Sequence, residues 1–244
     1  EKDVNTYEQR IIEMCTNNRQ SLDINFYHIN SVNQHLAVWI VTAPSQIIPL
    51  LDEVAYSLAC EIFPNYHNIF QEIFVRIKDL PILDSLRELR HYHINTLIKV
   101  RGVLTKRTNV FSQLKRIMFR CTKCGEKIGP FNYNGQQEIN DIGACQSCQS
   151  RGPYAVENSE TLYRNYQKIV VQESPGTIPP GRIPRHKEVI LTNDLVDSVK
   201  PGDEIEVSGI YISKFDFGMN VRYSFPVFTT FIEAVHVKRL NEIE

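Results

Sequence analysis

Residues 97–125 read LIKVRGVLTKRTNVFSQLKRIMFRCTKCG, and this stretch carries two signals at once. Leu97 to Val110 is rich in β-branched side chains and alternates apolar with polar, the period of a strand with one buried face. Gly102 interrupts that pattern as a bulge or sharp bend. Arg116 to Cys121 continues as a strand and runs straight into Cys121-Thr-Lys-Cys124. A β-fold is thereby tied to a metal-binding turn.

The partner of that turn is a second CxxC pair, Cys145 and Cys148. Two such turns supply four thiolates, the tetrahedral set that a structural zinc ion takes. No histidine lies between His93 and His186, so a mixed site is not expected. A four-cysteine site has no open position; it contributes folding energy and no Lewis-acid chemistry. Cys15 and Cys60 lie in apolar helical patterns and read as buried, inert thiols.

Outward from this stretch the texture differs on the two sides. Ile48 to Phe63 has Leu50, Leu51, Val54, Leu58 and Ile62 at helix spacing, with Pro49 near its start and Pro64 closing it. Asn68 is expected to cap a further helix with the stripe Ile69, Phe70, Ile73, Phe74, Ile77, ending before Pro81. An earlier helix is expected around Tyr7 to Met14. On the C-terminal side, Tyr163 to Gln172, Val189 to Leu191, Glu204 to Ser213 and Val227 to Val237 read as strands. Short strands with frequent turns predict a small barrel, interrupted between two strands by the metal element, whose ends must come close together.

Two loops stand out. Glu173 to Arg185 (ESPGTIPPGRIPR) holds four prolines, which fix φ and remove donors, so it is stiff and extended. Its Gly-x-x-x-x-Gly-Arg echoes a phosphate-binding loop but lacks the Lys and Ser/Thr that hold phosphate and magnesium, so no nucleotide site is expected. Ile210 to Phe228 reads as a long hairpin with Lys214 and Arg222 near its tip. Opposed like charges are destabilising unless an anion lies between them; two unrelated charges on a solvated loop are the alternative.

Net charge is only −1, but it is unevenly placed: residues 1–93 hold 7 Lys/Arg and 12 Asp/Glu, residues 94–238 hold 19 and 14. Residues 94–125 carry eight basic side chains and no acidic one, a local field suited to a polyanion. The alternative is a strand face balanced by acids from elsewhere in the fold. No run of eighteen apolar residues predicts a membrane span, and the N-terminus has no apolar signal segment. With no Ser/His/acid motif, His-Glu-x-x-His or paired carboxylates, and His91 with His93 as the one close histidine pair, the chain reads as non-catalytic.

Leu86 to Val103 (LRELRHYHINTLIKVRGV), Cys124 to Phe131 (CGEKIGPF), Tyr163 to Pro175 (YRNYQKIVVQESP), Gly181 to Arg185 (GRIPR), Asp194 to Tyr211 and Phe225 to Phe228 together resemble the N-terminal region of minichromosome maintenance (MCM) helicase subunits, the eukaryotic subunit-two branch above all. The resemblance runs over residues 86–238; residues 1–85 fit by position and helical character.

The resemblance implies an α+β fold: a helical bundle over residues 1–93, an oligonucleotide/oligosaccharide-binding (OB) barrel over 94–118 and 157–238, an inserted zinc subdomain over 119–156, and a linker at 239–244 toward an ATPase domain. It implies zinc on Cys121, Cys124, Cys145 and Cys148, and DNA contacts through Lys106, Arg107, Lys115, Arg116, Lys214 and Arg222. Gln172, Glu173, Arg182 and Arg185 fall in the loop that signals to the ATPase tier. ATP and magnesium would belong to that C-terminal domain. Its motifs are missing here, so the chain reads as a piece of a longer nuclear protein. The implied partners are DNA, other MCM subunits in a heterohexamer, and replication loading and fork factors; no membrane is implied. A stand-alone single-strand-binding OB protein with a zinc ribbon is the alternative.

Overall fold

The computed structural model describes residues 2–132, 143–178, 180–215 and 228–240, with side chains outside residues 2–6 and 132. They fall into two compact units, one of residues 1–109 and 167–244, the other of Val110–Tyr166.

The first unit opens with α1 (Lys2–Thr16), β1 (Ser21–Asn25), α2 (Phe26–Val32), α3 (Gln34–Thr42) and α4 (Pro44–Ile62). The boundaries between these short elements are set by asparagines. The Asn25 side chain accepts from the Tyr27 amide, and the Asn33 side chain accepts from His35 and Leu36, so each caps the helix that follows. Pro44 opens α4, where its missing N–H costs no hydrogen bond.

The helix expected after Asn68 does not form. Phe74–Lys78 is a strand, β2, paired in parallel with β1 from Ser21↔Phe74 to Asn25↔Lys78. Ile73, Val75 and Ile77 are all buried, the alternation of a strand, and Asp52 of α4 accepts from the Val75 amide at 2.7 Å. The apolar spacing satisfied both periods, and burial on a parallel partner decided between them.

The barrel strands of this unit are β3 (Leu97–Arg107), the C-terminal half of β7 (Leu162–Gln172), β8 (His186–Thr192), β9 (Glu204–Phe215) and β10 (Phe228–Arg239). β3 pairs antiparallel with β9 up to Val103↔Glu204, then turns to pair with β7 from Val103↔Gln172. Gly102 sits at that switch, and a Cβ there would lie 2.3 Å from the Gln172 carbonyl oxygen. The expected bend is therefore a close backbone approach that only glycine allows. β10 pairs antiparallel with β9 and parallel with β8, with an extra residue, Val235, between the Ala234 and His236 pairings. Val100, Leu104, Ile169, Val171, Leu191, Ile205, Val207 and Ile232 fill the barrel core. The helices and β2 pack around Ile40, Ala59, Tyr66 and Ile73.

In the second unit β4 (Phe111–Cys121) pairs antiparallel with β5 (Lys127–Asn132), β6 (Tyr154–Val156) and the start of β7, the last in the register Phe111↔Tyr166. Helices followed by a mostly stranded barrel agree with the expected α+β class. Among the described residues no helix is long and apolar enough to cross a membrane.

Candidate metal centre and nucleic-acid interface

The four cysteines converge within the second unit. Each CxxC forms the same hydrogen-bonded turn. The Cys121 amide donates to Glu126 O (2.8 Å) and Gly125 N to Cys121 O (2.9 Å); the Cys145 amide donates to Ser150 O and Gln149 N to Cys145 O, both 2.9 Å. The residue after each second cysteine, Gly125 or Gln149, takes a left-handed φ of 75° or 53°. These turns aim successive amides at the first sulfur of each pair.

The four Sγ atoms lie within 4.8 Å of one another, with Cys121–Cys148 at 3.6 Å and Cys124–Cys145 at 3.5 Å. Bonds of about 2.3 Å to a tetrahedral zinc put sulfurs roughly 3.8 Å apart, so the set fits such an ion and is far too open for disulfides. Hydrogen bonds from the Cys124 and Lys123 amides bring the Cys121 thiol down to about 6. Those of Cys148 and Ser147 lower Cys145. At Cys124 the Glu126 amide favours the thiolate, but burial and hydrogen bonds to the other three sulfurs push it up to about 12. The turns thus favour thiolates at Cys121 and Cys145, and a cation is what would let Cys124 ionise beside them. Four cysteines here could hold a metal ion. His93, by contrast, accepts from the Arg90 amide at 3.1 Å and serves as a local cap.

The basic stretch is partly neutralised within the fold. Arg101 pairs with Glu204 at 3.0 Å, Arg107 with Asp197 at 3.1 Å and Arg120 with Glu157 at 2.6 Å, while the Lys99 ammonium donates to Leu80 O at 2.6 Å. Lys115 and Arg116, on β4, also interact with neighbouring groups. Three of the eight cations are thus balanced by acids distant in sequence, and Lys99 is held by a neutral carbonyl. Lys106, at the end of β3, is exposed and has no ion-pair partner among the described residues. Lys214 is exposed on β9 opposite Thr229. Arg222 lies outside the described residues.

Lys187, which no sequence pattern marked, lies on β8 and reaches side chains of β9 and β10. Its ammonium donates to Thr230 Oγ1 at 2.5 Å and lies 5.2 Å over the Tyr211 ring, and Tyr211 donates its hydroxyl to the same Thr230 at 2.9 Å. A lone lysine at a strand start has no periodicity to betray it.

The proline-rich loop is buttoned at its base. The Glu173 amide donates to Arg185 O at 3.0 Å, and Arg185 N donates back to Glu173 Oε2 at 3.0 Å. Arg87 pairs with Glu173 Oε1 at 2.9 Å and donates to Ile183 O at 2.7 Å. Glu173 is buried, whereas Ile183 is 86% exposed and Arg182 is exposed. Gln172 ends β7 beside Gly102.

Comparison with known proteins agrees with this architecture. A model of the MCM N-terminal domain matches residues 1–79, and one of the MCM OB domain matches residues 85–215. The DNA replication licensing factor MCM2 of Arabidopsis thaliana is 44% identical over 97% of the chain and 25% of its own length. Its Schizosaccharomyces pombe counterpart is 45% identical over 99% of the chain and 29% of its own. The minichromosome maintenance protein MCM of Saccharolobus solfataricus is 31% identical over 87% of the chain and 31% of its own. The chain spans about a quarter to a third of the length of these relatives.

Proposed function

Since the chain belongs to the minichromosome maintenance family, we propose that it is the non-catalytic N-terminal tier of one subunit of a hexameric, ATP-dependent replicative DNA helicase, acting in the nucleus in licensing and fork unwinding. The observation that carries this reading is the match of two MCM domain models in succession, over residues 1–79 and 85–215, to the helical segment and most of the barrel. Both models describe MCM domains, so the match favours this reading over a stand-alone single-strand-binding protein.

In this reading residues 1–93 form the helical part, 94–118 and 157–238 the barrel, 119–156 the zinc insert and 239–244 the linker. ATP and magnesium belong to a C-terminal ATPase domain, and the chain by itself hydrolyses nothing. Cys121, Cys124, Cys145 and Cys148 hold a structural zinc ion, which adds folding energy. Lys106 and Lys214, exposed on barrel strands, grip phosphates without reading sequence; Lys115, Arg116 and Arg222 assist, and Arg107 holds the strand end. Gln172, Glu173, Arg182 and Arg185 form the loop that contacts the ATPase tier, and its buttoned base suits transmission of a displacement. Partners are DNA, the other MCM subunits of a heterohexamer, and loading and fork factors.

The test uses the full-length protein assembled with its partner subunits. Lys106→Glu with Lys214→Glu should weaken DNA binding severalfold or more, steeply with salt, and slow unwinding while ATP hydrolysis persists. Undiminished binding and unwinding would overturn the DNA-gripping role.

A further inference from the structure

Strand register lines up three polar side chains on β3, β9 and β10: Lys99 pairs with Ser208, and Ser208 with His236. The next row holds Arg101, Glu206 and Lys238. Their neighbours Val100 and Val207 enter the barrel core, so both rows occupy the opposite face of the sheet. A cavity of about 450 Å³ opens there, walled by Lys78 and Asp79 at the end of β2 and by Ser198.

The lining carries more positive than negative charge. Lys78 is paired with Asp23 at 2.6 Å. Lys99 donates to a neutral acceptor, Leu80 O, so its charge is not neutralised there. Lys238, exposed, has no ion-pair partner among the described residues. Arg239 also lines the cavity; the acids are Asp79 and Glu206. Two uncharged donors complete it. Ser208 is 4% exposed, yet its hydroxyl bonds to no other described residue. The His236 imidazole is pushed down to about 4, by burial above all and then by Lys78, so it stands neutral with a ring N–H to give.

We propose that this cavity binds a single phosphate monoester, presented as a phosphorylated serine or threonine of a partner protein. Such a group brings nearly two negative charges and three acceptor oxygens, which match two ammonium groups, a hydroxyl and a ring N–H in a partly desolvated site. A carboxylate offers fewer acceptors and one charge. A nucleic-acid strand is less well matched: Asp79 and Glu206 line the cavity, and in the adjoining hollow Arg10, Arg19 and Lys78 are balanced by Glu13, Asp23 and Asp79. The excess positive charge is thus confined to one cavity and gives no track for a row of phosphates. The site is independent of the helicase reading and of the zinc insert.

The test follows the His236 ring resonances of the chain by NMR, assigned with His236→Gln. The probes are N-acetyl-phosphoserine amide, its serine and glutamate counterparts, and an oligothymidylate. A saturable shift with the phosphoserine probe alone is expected. Lys238→Ala, at an exposed site, and Ser208→Ala, a small change, should each weaken it about tenfold and keep the fold. No saturable shift, an equal response to the serine or glutamate probe, displacement by oligothymidylate, or unchanged affinity in both variants would each overturn the proposal.

Discussion

The Arg76 guanidinium on β2 donates to the carbonyl of Val235, 159 residues away, at 2.9 Å. Val235 is the extra residue of the β10 bulge, so its carbonyl lacks a regular ladder partner, and Arg76 supplies one. The same guanidinium pairs with Asp194 and lies 5.4 Å from the Phe74 ring centroid. One buried cation thus ties β2 to the closing strand of the barrel.

Arg76→Ala leaves a buried carbonyl and a half-buried carboxylate without their partner. The expected loss is roughly 2–4 kcal/mol, read from urea unfolding. Arg76→Lys, which keeps the charge and loses the planar fork, should fall between the two. A variant as stable as the parent would contradict this account.

Removal of the metal should act locally. Zinc assay of the purified chain is expected to find one equivalent, and none in Cys124→Ser or Cys148→Ser. After chelation, hydrogen exchange should rise first in residues 110–166, which form a compact unit of their own, while the barrel core around Leu104 and Ile169 stays protected.

Lys106 and Arg107 are adjacent, yet their substitutions should separate. Lys106→Ala should lower the slope of log affinity against log salt by about one in the assembled complex, with stability unchanged. Arg107→Ala should instead cost about 1 kcal/mol, a few degrees in Tm, because Asp197 loses a partner. Gln167, also bonded to Asp197 at 3.0 Å, limits that loss.

Opening of the proline-rich loop is held back by Glu173 and Arg87. Glu173→Gln or Arg87→Ala removes an ion pair whose side chains are only 7% and 17% exposed. Trypsin cleavage at Arg182 or Arg185 should then quicken about tenfold or more, while far-ultraviolet circular dichroism is unchanged. Equal cleavage rates would count against the button.

His236 gives the chain an acid-sensitive step. Burial, with Lys78 and Arg76 nearby, lowers its pKa from 6.5 to about 4, against the opposing pull of Asp23 and Asp79. The unfolded chain therefore takes up this proton first. Stability should be level above about pH 6.5 and fall as pH drops toward 4, by at most about 3 kcal/mol. In His236→Gln that part of the slope should vanish from pH-dependent unfolding curves.

Much of this was legible in the sequence because it rests on local spacing. The CxxC pairs, the alternation of Leu97 to Arg107 and the bend at Gly102 need no distant information. β2 was misread because Ile73 and Ile77 satisfy both helical and strand periods, and the deciding partner, Ser21–Asn25, is far away in sequence. The short α2 and α3 escaped because their signals are single asparagine caps. The basic stretch looked uncompensated because its acids, Glu157, Asp197 and Glu204, arrive from later strands and turns. Lys187 acquires its setting only when Thr230 and Tyr211 meet it in space.

Phe111 and Tyr166 face each other across β4 and β7, so the cysteine-bearing unit begins and ends at one rung of a ladder. Its length and composition can therefore drift between descendants without shifting the pairing of any strand outside it. Residues added between the two cysteine pairs can thus be absorbed without moving the rung at which the chain enters and leaves the unit.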